Sequence, residues 1–233
     1  MLNKLKTNAS KIALEYIKKN QNIIGIGSGT TIINFINMLG HIKKNIKGIV
    51  AASELSIKFL KKYNFNIYEI NHINDINIYF DSADEINNNM QMIKGGGGAL
   101  TNEKIIANFA KIFICIVDQS KIVNYLGAKH PLPIEIIPQA QAYITRIIQK
   151  LGAKVKYRSN FITEHGNIIL DIYNLQILDP IKIEKYINNI PGVITVGLFA
   201  KRPADILLIG EKNLSVTIKY NNTFYNNYLY KYI

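Results

Sequence analysis

The sequence predicts an α/β protein: a Rossmann-like, mostly parallel sheet domain with a second, smaller ferredoxin-like α+β domain. Three observations lead there. From the start to about Asp118, short apolar runs alternate with amphipathic stretches, the pattern of βα units. After Pro131 the order becomes strand, helix, strand, strand, helix, strand, the succession of a split βαβ module. A chain of 233 residues with 48% hydrophobic content can fill two cores of moderate size.

Each element has its own signals. Residues 23–27 read as a buried strand and 30–39 as a helix, closed by Gly40 in the left-handed C-terminal position. Residues 48–52 form a second strand, and Ser53 opens the next helix. Further strands at 77–80 and 112–117 are separated by a glycine-rich loop and a helix over 102–110, capped by Thr101. The second half gives a strand at 134–137, a helix at 139–151 ended by Gly152, and a strand at 154–158. A hairpin turning near His165-Gly166, a strand at 168–173, a helix at 179–189 and a strand at 194–199 follow. Asp179 and Pro180 suit the start of that last helix as N-cap and first-turn proline. A strand at 206–209 is expected to return to the first sheet. The domains are then 1–127 plus 205–233, with 128–204 inserted between them. The tail from about Tyr220, rich in Asn and Tyr, reads as peripheral.

Composition narrows the function classes. No run approaches the roughly 20 apolar residues of a spanning helix, and the first ten residues lack the apolar core of a secretory signal, so a cytosolic protein is expected. Cys115 lies in an apolar run and reads as a buried thiol. The net charge of +12 raises nucleic acid as a partner. However, only Arg146, Arg158 and Arg202 are arginines, and the lysines are dispersed among Asn and Ile, as an A+T-rich genome would produce. No nucleic-acid or membrane partner is therefore expected; a positive field would still attract a small phosphorylated metabolite.

Four polar elements fall where strands of the first domain end, the place where open α/β sheets bind ligands. The first is the glycine-rich turn over 25–31, whose Ser28, Gly29, Thr30 and Thr31 open a helix. Backbone N–H groups and hydroxyls there suit a phosphate, although a purely structural tight turn also fits. A dinucleotide fingerprint fits less well: Thr30 stands where the third glycine should fall, and Glu54 is the only candidate ribose-binding acid. The second is Asp81-Ser82-Ala83-Asp84-Glu85, three carboxylates at a strand end, open to reading as a helix-start cluster or a divalent-metal site. The third is Lys94-Gly95-Gly96-Gly97-Gly98. Four consecutive glycines cost conformational entropy, which points to close approach of backbone to a ligand, with Lys94 as cation. The fourth is Glu103, in the first turn of the following helix. Taken alone it reads as dipole compensation; beside the glycine loop it can face the same cleft as Asp81 and Asp84, where a carboxylate suits moving a proton between adjacent carbons.

These strings, with 94–107 (KGGGGALTNEKIIA), Asp118 to Lys121 and the Pro131-Leu132-Pro133 and Pro138 segment, closely resemble type A ribose-5-phosphate isomerase, in the same order from the first strand to about Lys212. The resemblance implies an aldose–ketose isomerase that interconverts D-ribose 5-phosphate and D-ribulose 5-phosphate through an enediolate. It implies action without metal or coenzyme, in the non-oxidative pentose phosphate pathway, as a homodimer. Glu103 then matches the general base. Asp81, Asp84 and Lys94 match the groups that handle hydroxyl protons, assist ring opening and stabilise the enediolate. Ser28, Gly29, Thr30, Thr31 and Lys121 match substrate-holding positions, chiefly for phosphate, and Gly95, Gly96 and Gly97 line the reacting end; Ser82 and Ala83, with Asp81, Asp84 and Lys94, are also among the implied substrate-binding residues. Lys6 is a further candidate for the phosphate. Ser82 replaces the family's usual glycine, the Ser/Thr order in the first loop is altered, and Asn102 stands where an arginine is common.

The chemistry demands such a set. A C–H bond beside a carbonyl is far less acidic than a glutamic acid of pKa about 4.3, so a base alone fails. Donors such as Lys94 and the glycine-loop amides are needed to stabilise the developing oxyanion. A rival of another class is a non-catalytic sugar-phosphate-sensing domain, as in some bacterial repressors. It would carry a helix-turn-helix before the sheet, whereas the residues before Ile23 leave room for one helix.

Overall fold

The computed structural model describes residues 2–17 and 21–221. Its elements run α1 (Leu2–Glu15), β1 (Gln21–Ile26), α2 (Thr30–Leu39), β2 (Ile46–Ala51), α3 (Glu54–Lys62), β3 (Ile76–Asp81), β4 (Glu85–Ile86), β5 (Met92–Ile93), α4 (Leu100–Phe109) and β6 (Ala110–Asp118). Then follow β7 (Leu132–Ile136), α5 (Gln141–Lys150), β8 (Lys154–Tyr157), β9 (Ile168–Tyr173), α6 (Pro180–Asn188), β10 (Val193–Val196), β11 (Leu198–Phe199), β12 (Ile206–Gly210) and β13 (Val216–Tyr220). The Asn/Tyr-rich tail from residue 222 onward lies outside the described residues. Among the described residues no helix is long and apolar enough to cross a membrane.

Two compact units emerge: Met1–Ser82 with Ile105–Lys121 and Ala204–Ile233, and Ala83–Lys104 with Ile122–Pro203. The second unit thus takes in residues 83–104 as well as the inserted segment, because β11 pairs with β5, and β5 with β4.

The first unit is built on a six-stranded sheet of order β13-β12-β6-β3-β1-β2, parallel except for the edge strand β13. β12 returns alongside β6, as expected from its apolar run. Alternate residues of the central strands point to opposite faces. Ile24, Ile26, Phe80, Ile114 and Leu208 join Ala9 and Ala13 of α1 and Phe35 and Ile36 of α2 in one core. On the other face a Cβ at Gly25 would meet Ile106 of α4 and Tyr79, so glycine is what lets that helix close on β1. Cys115 is fully buried, as the sequence suggested.

The second unit contains a four-stranded antiparallel sheet of order β10-β7-β9-β8, the ferredoxin-like arrangement. Its core packs Ile144 and Ile148 of α5 and Ile187 of α6 against Ile134, Ile136, Leu170 and Ile172. The Asp179 side chain caps α6 by accepting from the Lys182 amide, as predicted.

Two sequence expectations are corrected. Gly40 is right-handed (φ −51°) and the chain continues through a 3₁₀ stretch, Gly40–Asn45. Glycine is needed there because a side chain would strike the Tyr63 ring, not because of left-handed backbone. Thr101 lies within α4, which begins one residue earlier, and its hydroxyl donates to Glu135 instead of capping the helix.

Glu85, the last acid of the 81–85 cluster, is fully buried and accepts from the amides of Gly127, Lys129 and His130, tying the 127–130 loop to β4. Its carboxylate is committed to backbone. Replacing it strands three N–H groups, each worth roughly 1–3 kcal/mol when buried without a partner. Glu85→Ala is therefore expected to lower unfolding free energy by about 3 kcal/mol or more, read as a lower urea midpoint by circular dichroism; an unchanged midpoint contradicts this role.

Candidate active site

In the first unit the candidate residues gather at the C-terminal ends of β1, β3 and β6. Chain order places β2 on one side of β1 and β3, β6 and β12 on the other, so the strand order reverses between β1 and β3. At such a switch point the loops leave in opposite directions and open a crevice. The glycine-rich turn follows β1, and Asp81 ends β3 beside it.

Local contacts explain the turn. A Cβ at Gly27 would overlap the Asp81 carboxylate, and Gly29 is left-handed at φ +87°. Asp81 is fully buried; its Oδ1 accepts from the amides of Ser28 (3.1 Å) and Ser82 (2.7 Å), and its Oδ2 from the Tyr79 hydroxyl. Ser82 holds no left-handed backbone, so its φ does not call for the expected glycine. Beyond the turn the Lys6 ammonium donates to the exposed Thr30 hydroxyl at 3.1 Å. The first N–H groups of a helix have no intrahelical acceptor, and α2 presents its own from Thr30 and the buried Thr31. Lys121 closes a short turn, Gln119–Lys121, directly after β6; the Asp118 carboxylate shapes that turn by accepting from Ser120.

In the second unit a different group forms around residues 94–103. Lys94 and Glu103 are each only 3% exposed, and the Lys94 ammonium lies 3.2 Å from Glu103 Oε2. The backbone fixes both. The Lys94 amide donates to the Gly197 carbonyl, and the Glu103 amide to Ala99 in the first turn of α4. Asp84 Oδ2 accepts from the Gly96 amide at 2.8 Å. Next to Glu103, the Lys104 ammonium donates to Glu184 (2.9 Å) and to the Leu198 carbonyl (2.6 Å). Burial pushes Lys104 below the ordinary lysine range, with Glu184 opposing that shift.

The four glycines separate by cause. Gly95 and Gly98 are left-handed, at φ +97° and +84°. A side chain at Gly96 would strike Asp84, and one at Gly98 would strike Phe161. Only at Gly97 does the space around a Cβ stay open. Intramolecular packing or left-handed backbone thus accounts for Gly95, Gly96 and Gly98, and Gly97 is the one of the four that neither explains.

The sequence candidates therefore fall into two sets. Ser28, Thr30, Thr31 and Asp81 are grouped in the first unit with Lys6, and Gly29 forms the turn among them; Lys121 ends the adjoining strand. Asp84, Lys94, Gly95, Gly96, Gly97 and Glu103 are grouped in the second, which also contains the buried Ala83. The three acids read as a cluster part ways, each accepting from different backbone amides. Among the described residues no three His, Cys, Asp or Glu side chains gather as a metal site. Sequence reasoning misses Tyr79. Its position two before Asp81 on one strand face is the available signal. Asn102 bonds to Glu164 (3.2 Å) and His165 (2.9 Å), contacts no pattern announces.

Comparison with known proteins converges on one family. Residues 48–213 match the sequence model of Ribose 5-phosphate isomerase A (phosphoriboisomerase A). Ribose-5-phosphate isomerase A of Buchnera aphidicola subsp. Acyrthosiphon pisum (strain APS) is 57% identical over 211 residues, covering 91% of this chain and 94% of that one. The same enzyme of Blochmanniella floridana is 54% identical over 209 residues, 90% and 94% of the two chains. The crystal structure of ribose 5 phosphate isomerase A from Neisseria gonorrhoeae superimposes with a TM-score of 0.91 at 39% identity, covering 95% of this chain and 98% of that one. A D-ribose-5-phosphate isomerase in complex with phospho-erythronic acid gives 0.90 at 36% identity, over 94% and 99%. Supported by a family match over most of its length and by relatives sharing more than half of its aligned positions, this chain belongs to the ribose-5-phosphate isomerase A family of aldose–ketose isomerases.

Proposed function

We propose that the chain interconverts D-ribose 5-phosphate and D-ribulose 5-phosphate through an enediolate, with Glu103 as the base that carries the proton between C2 and C1. The buried Lys94–Glu103 pair carries this reading. A carboxylate removed from water, 3.2 Å from a cation, supplies a base and a charge for a developing oxyanion in one place. Glu103 takes the proton from C2 of the open aldose, electrons move onto the carbonyl oxygen, and the enediolate forms. Returning the proton to C1 gives the ketose. Lys94 stabilises the negative oxygen, while Asp81 and Asp84 handle the hydroxyl protons and assist ring opening.

Ser28, Gly29, Thr30, Thr31 and Lys121 hold substrate, chiefly its phosphate, with Lys6 aiding through Thr30. Ser82, Ala83, Gly95, Gly96 and Gly97 line the reacting end. One solved relative is in complex with phospho-erythronic acid, a phosphorylated sugar acid, and a phosphorylated pentose suits the same kinds of donor in this chain. The family further supports a homodimer working in the cytoplasm, in the non-oxidative pentose phosphate pathway.

Glu103→Gln is expected to abolish ketose formation from ribose 5-phosphate while largely sparing substrate binding, with circular dichroism confirming a folded variant. Wild-type turnover in that variant would remove Glu103 from its role. Lys121→Ala is expected to raise KM severalfold with little loss of kcat; an unchanged KM argues against phosphate contact. Because Asp81 and Asp84 accept from separate backbone amides and, among the described residues, no three His, Cys, Asp or Glu side chains gather as a ligand set, turnover is expected to persist in excess EDTA. Loss of activity on chelation, restored by a divalent cation, would reinstate a metal at those acids.

A further inference from the structure

Arg158, at the end of β8, makes contacts the proposed chemistry does not use. Its Nε donates to Asp171 Oδ2 at 2.8 Å and its Nη2 to Asp171 Oδ1, a two-pronged pair that fixes the guanidinium plane. The remaining nitrogen, Nη1, donates to the carbonyls of Gly95 (3.3 Å) and Gly96 (3.1 Å). The side chains are largely buried, 18% exposed for Arg158 and 12% for Asp171. A planar trans peptide points its C=O and the next N–H in opposite directions. The Gly95–Gly96 peptide therefore offers its oxygen to Arg158 and its N–H to Asp84, held along both edges. By binding the Gly96 carbonyl, Arg158 also sets the plane that aims the Gly97 N–H, at the one glycine of this loop where a Cβ would find open space.

The same segment reinforces that hold. Phe161 packs where a Gly98 side chain would be, and Glu164 and His165 bond Asn102, next to Glu103. Residues 158–165 thus strap the 94–103 segment at both ends.

We propose that Arg158, fixed by Asp171, is a positioning residue for the isomerisation: it orients the glycine-loop peptides, and through them Asp84 and the Gly97 amide, for the reacting end of the sugar. The inference rests on the assignment of residues 94–97 to that end. Four consecutive glycines have no conformation of their own to fall back on, so a guanidinium fork substitutes for side-chain restraint. Lysine cannot replace it, because a single ammonium lacks the planar fork that grips Asp171 and reaches two carbonyls together.

The test is steady-state kinetics with ribose 5-phosphate on R158K, D171N and R158K/D171N, beside amide hydrogen exchange of the unliganded proteins. Each single variant is expected to lower kcat about 10- to 100-fold with KM changed less than about twofold, the scale of a misplaced reacting group. The double variant is expected to be no worse than the poorer single one, as befits one unit. Exchange is expected to accelerate at Gly96–Gly98 while the β9 amides keep their protection. R158A is expected to regain part of its kcat when guanidinium is added at a non-denaturing concentration. Wild-type kcat in R158K, a loss expressed only in KM, or exchange rising across β8 and β9 alike would overturn the proposal. Exchange at the loop reports on Arg158 whatever the chemistry, whereas a fully active Glu103→Gln would sink the site assignment alone.

Discussion

Burying an ammonium and a carboxylate 3.2 Å apart is the constraint from which the second unit's site follows. Taking each ion out of water costs several kcal/mol, and their attraction offsets that only when the geometry is held. The structure holds it through backbone. Lys94 is tied at its amide to Gly197, in the link between β10 and β11, and Glu103 rides on the first turn of α4. The next residue, Lys104, anchors that turn to Glu184, whose second oxygen accepts from the amides of Ala200 and Lys201. Two consecutive residues of one helix thus enter separate buried ion pairs. Both are thereby held in place, which is the kind of fixed arrangement that proton transfer at carbon requires.

The first unit solves a different problem by topology. Parallel strands deliver their C-terminal ends to one edge, and reversal of strand order beside β1 leaves that edge open. A helix starting there supplies N–H groups, and the turn before it must be glycine to leave room for Asp81. Asp81 is consequently both a candidate for the chemistry and part of the turn: the carboxylate that takes the Ser28 amide also fills the space a Gly27 side chain would need. A change at Gly27 and a change at Asp81 are therefore perturbations of one object.

Much of this was legible in the sequence because it depended on local pattern. Alternating apolar runs gave β1, β2, β3 and β6, the β-α-β-β-α-β succession gave the small sheet, and Ser53 and Asp179 announced their helices by cap chemistry. What stayed hidden was long-range. Gly40 looked like a helix stop, yet its reason is the Tyr63 ring 23 positions later. Thr101 looked like a cap until Glu135, from β7, claimed its hydroxyl. The three acids of 81–85 looked like one cluster; strand pairing sends Glu85 to the 127–130 loop and leaves Asp84 to the glycine loop. In each case the deciding partner lies far along the chain, where spacing carries no signal.

Composition, which argued against a nucleic-acid partner, also singles out where arginine matters. Only three of the 28 basic residues are arginine, so a chain drifting toward lysine has kept guanidinium in few places. Lysine supplies charge equally well on a solvated face, and the exposed Arg146 of α5 is a position where either cation would serve. Arg158 is a position where lysine does not suffice, because one fork must meet Asp171 through two nitrogens while a third reaches two carbonyls. Arg202 likewise donates to a backbone carbonyl, that of Pro203, instead of serving as a surface charge. What sets Arg158 apart is therefore geometry and not rarity: its guanidinium is the one that joins a buried carboxylate to two glycine carbonyls.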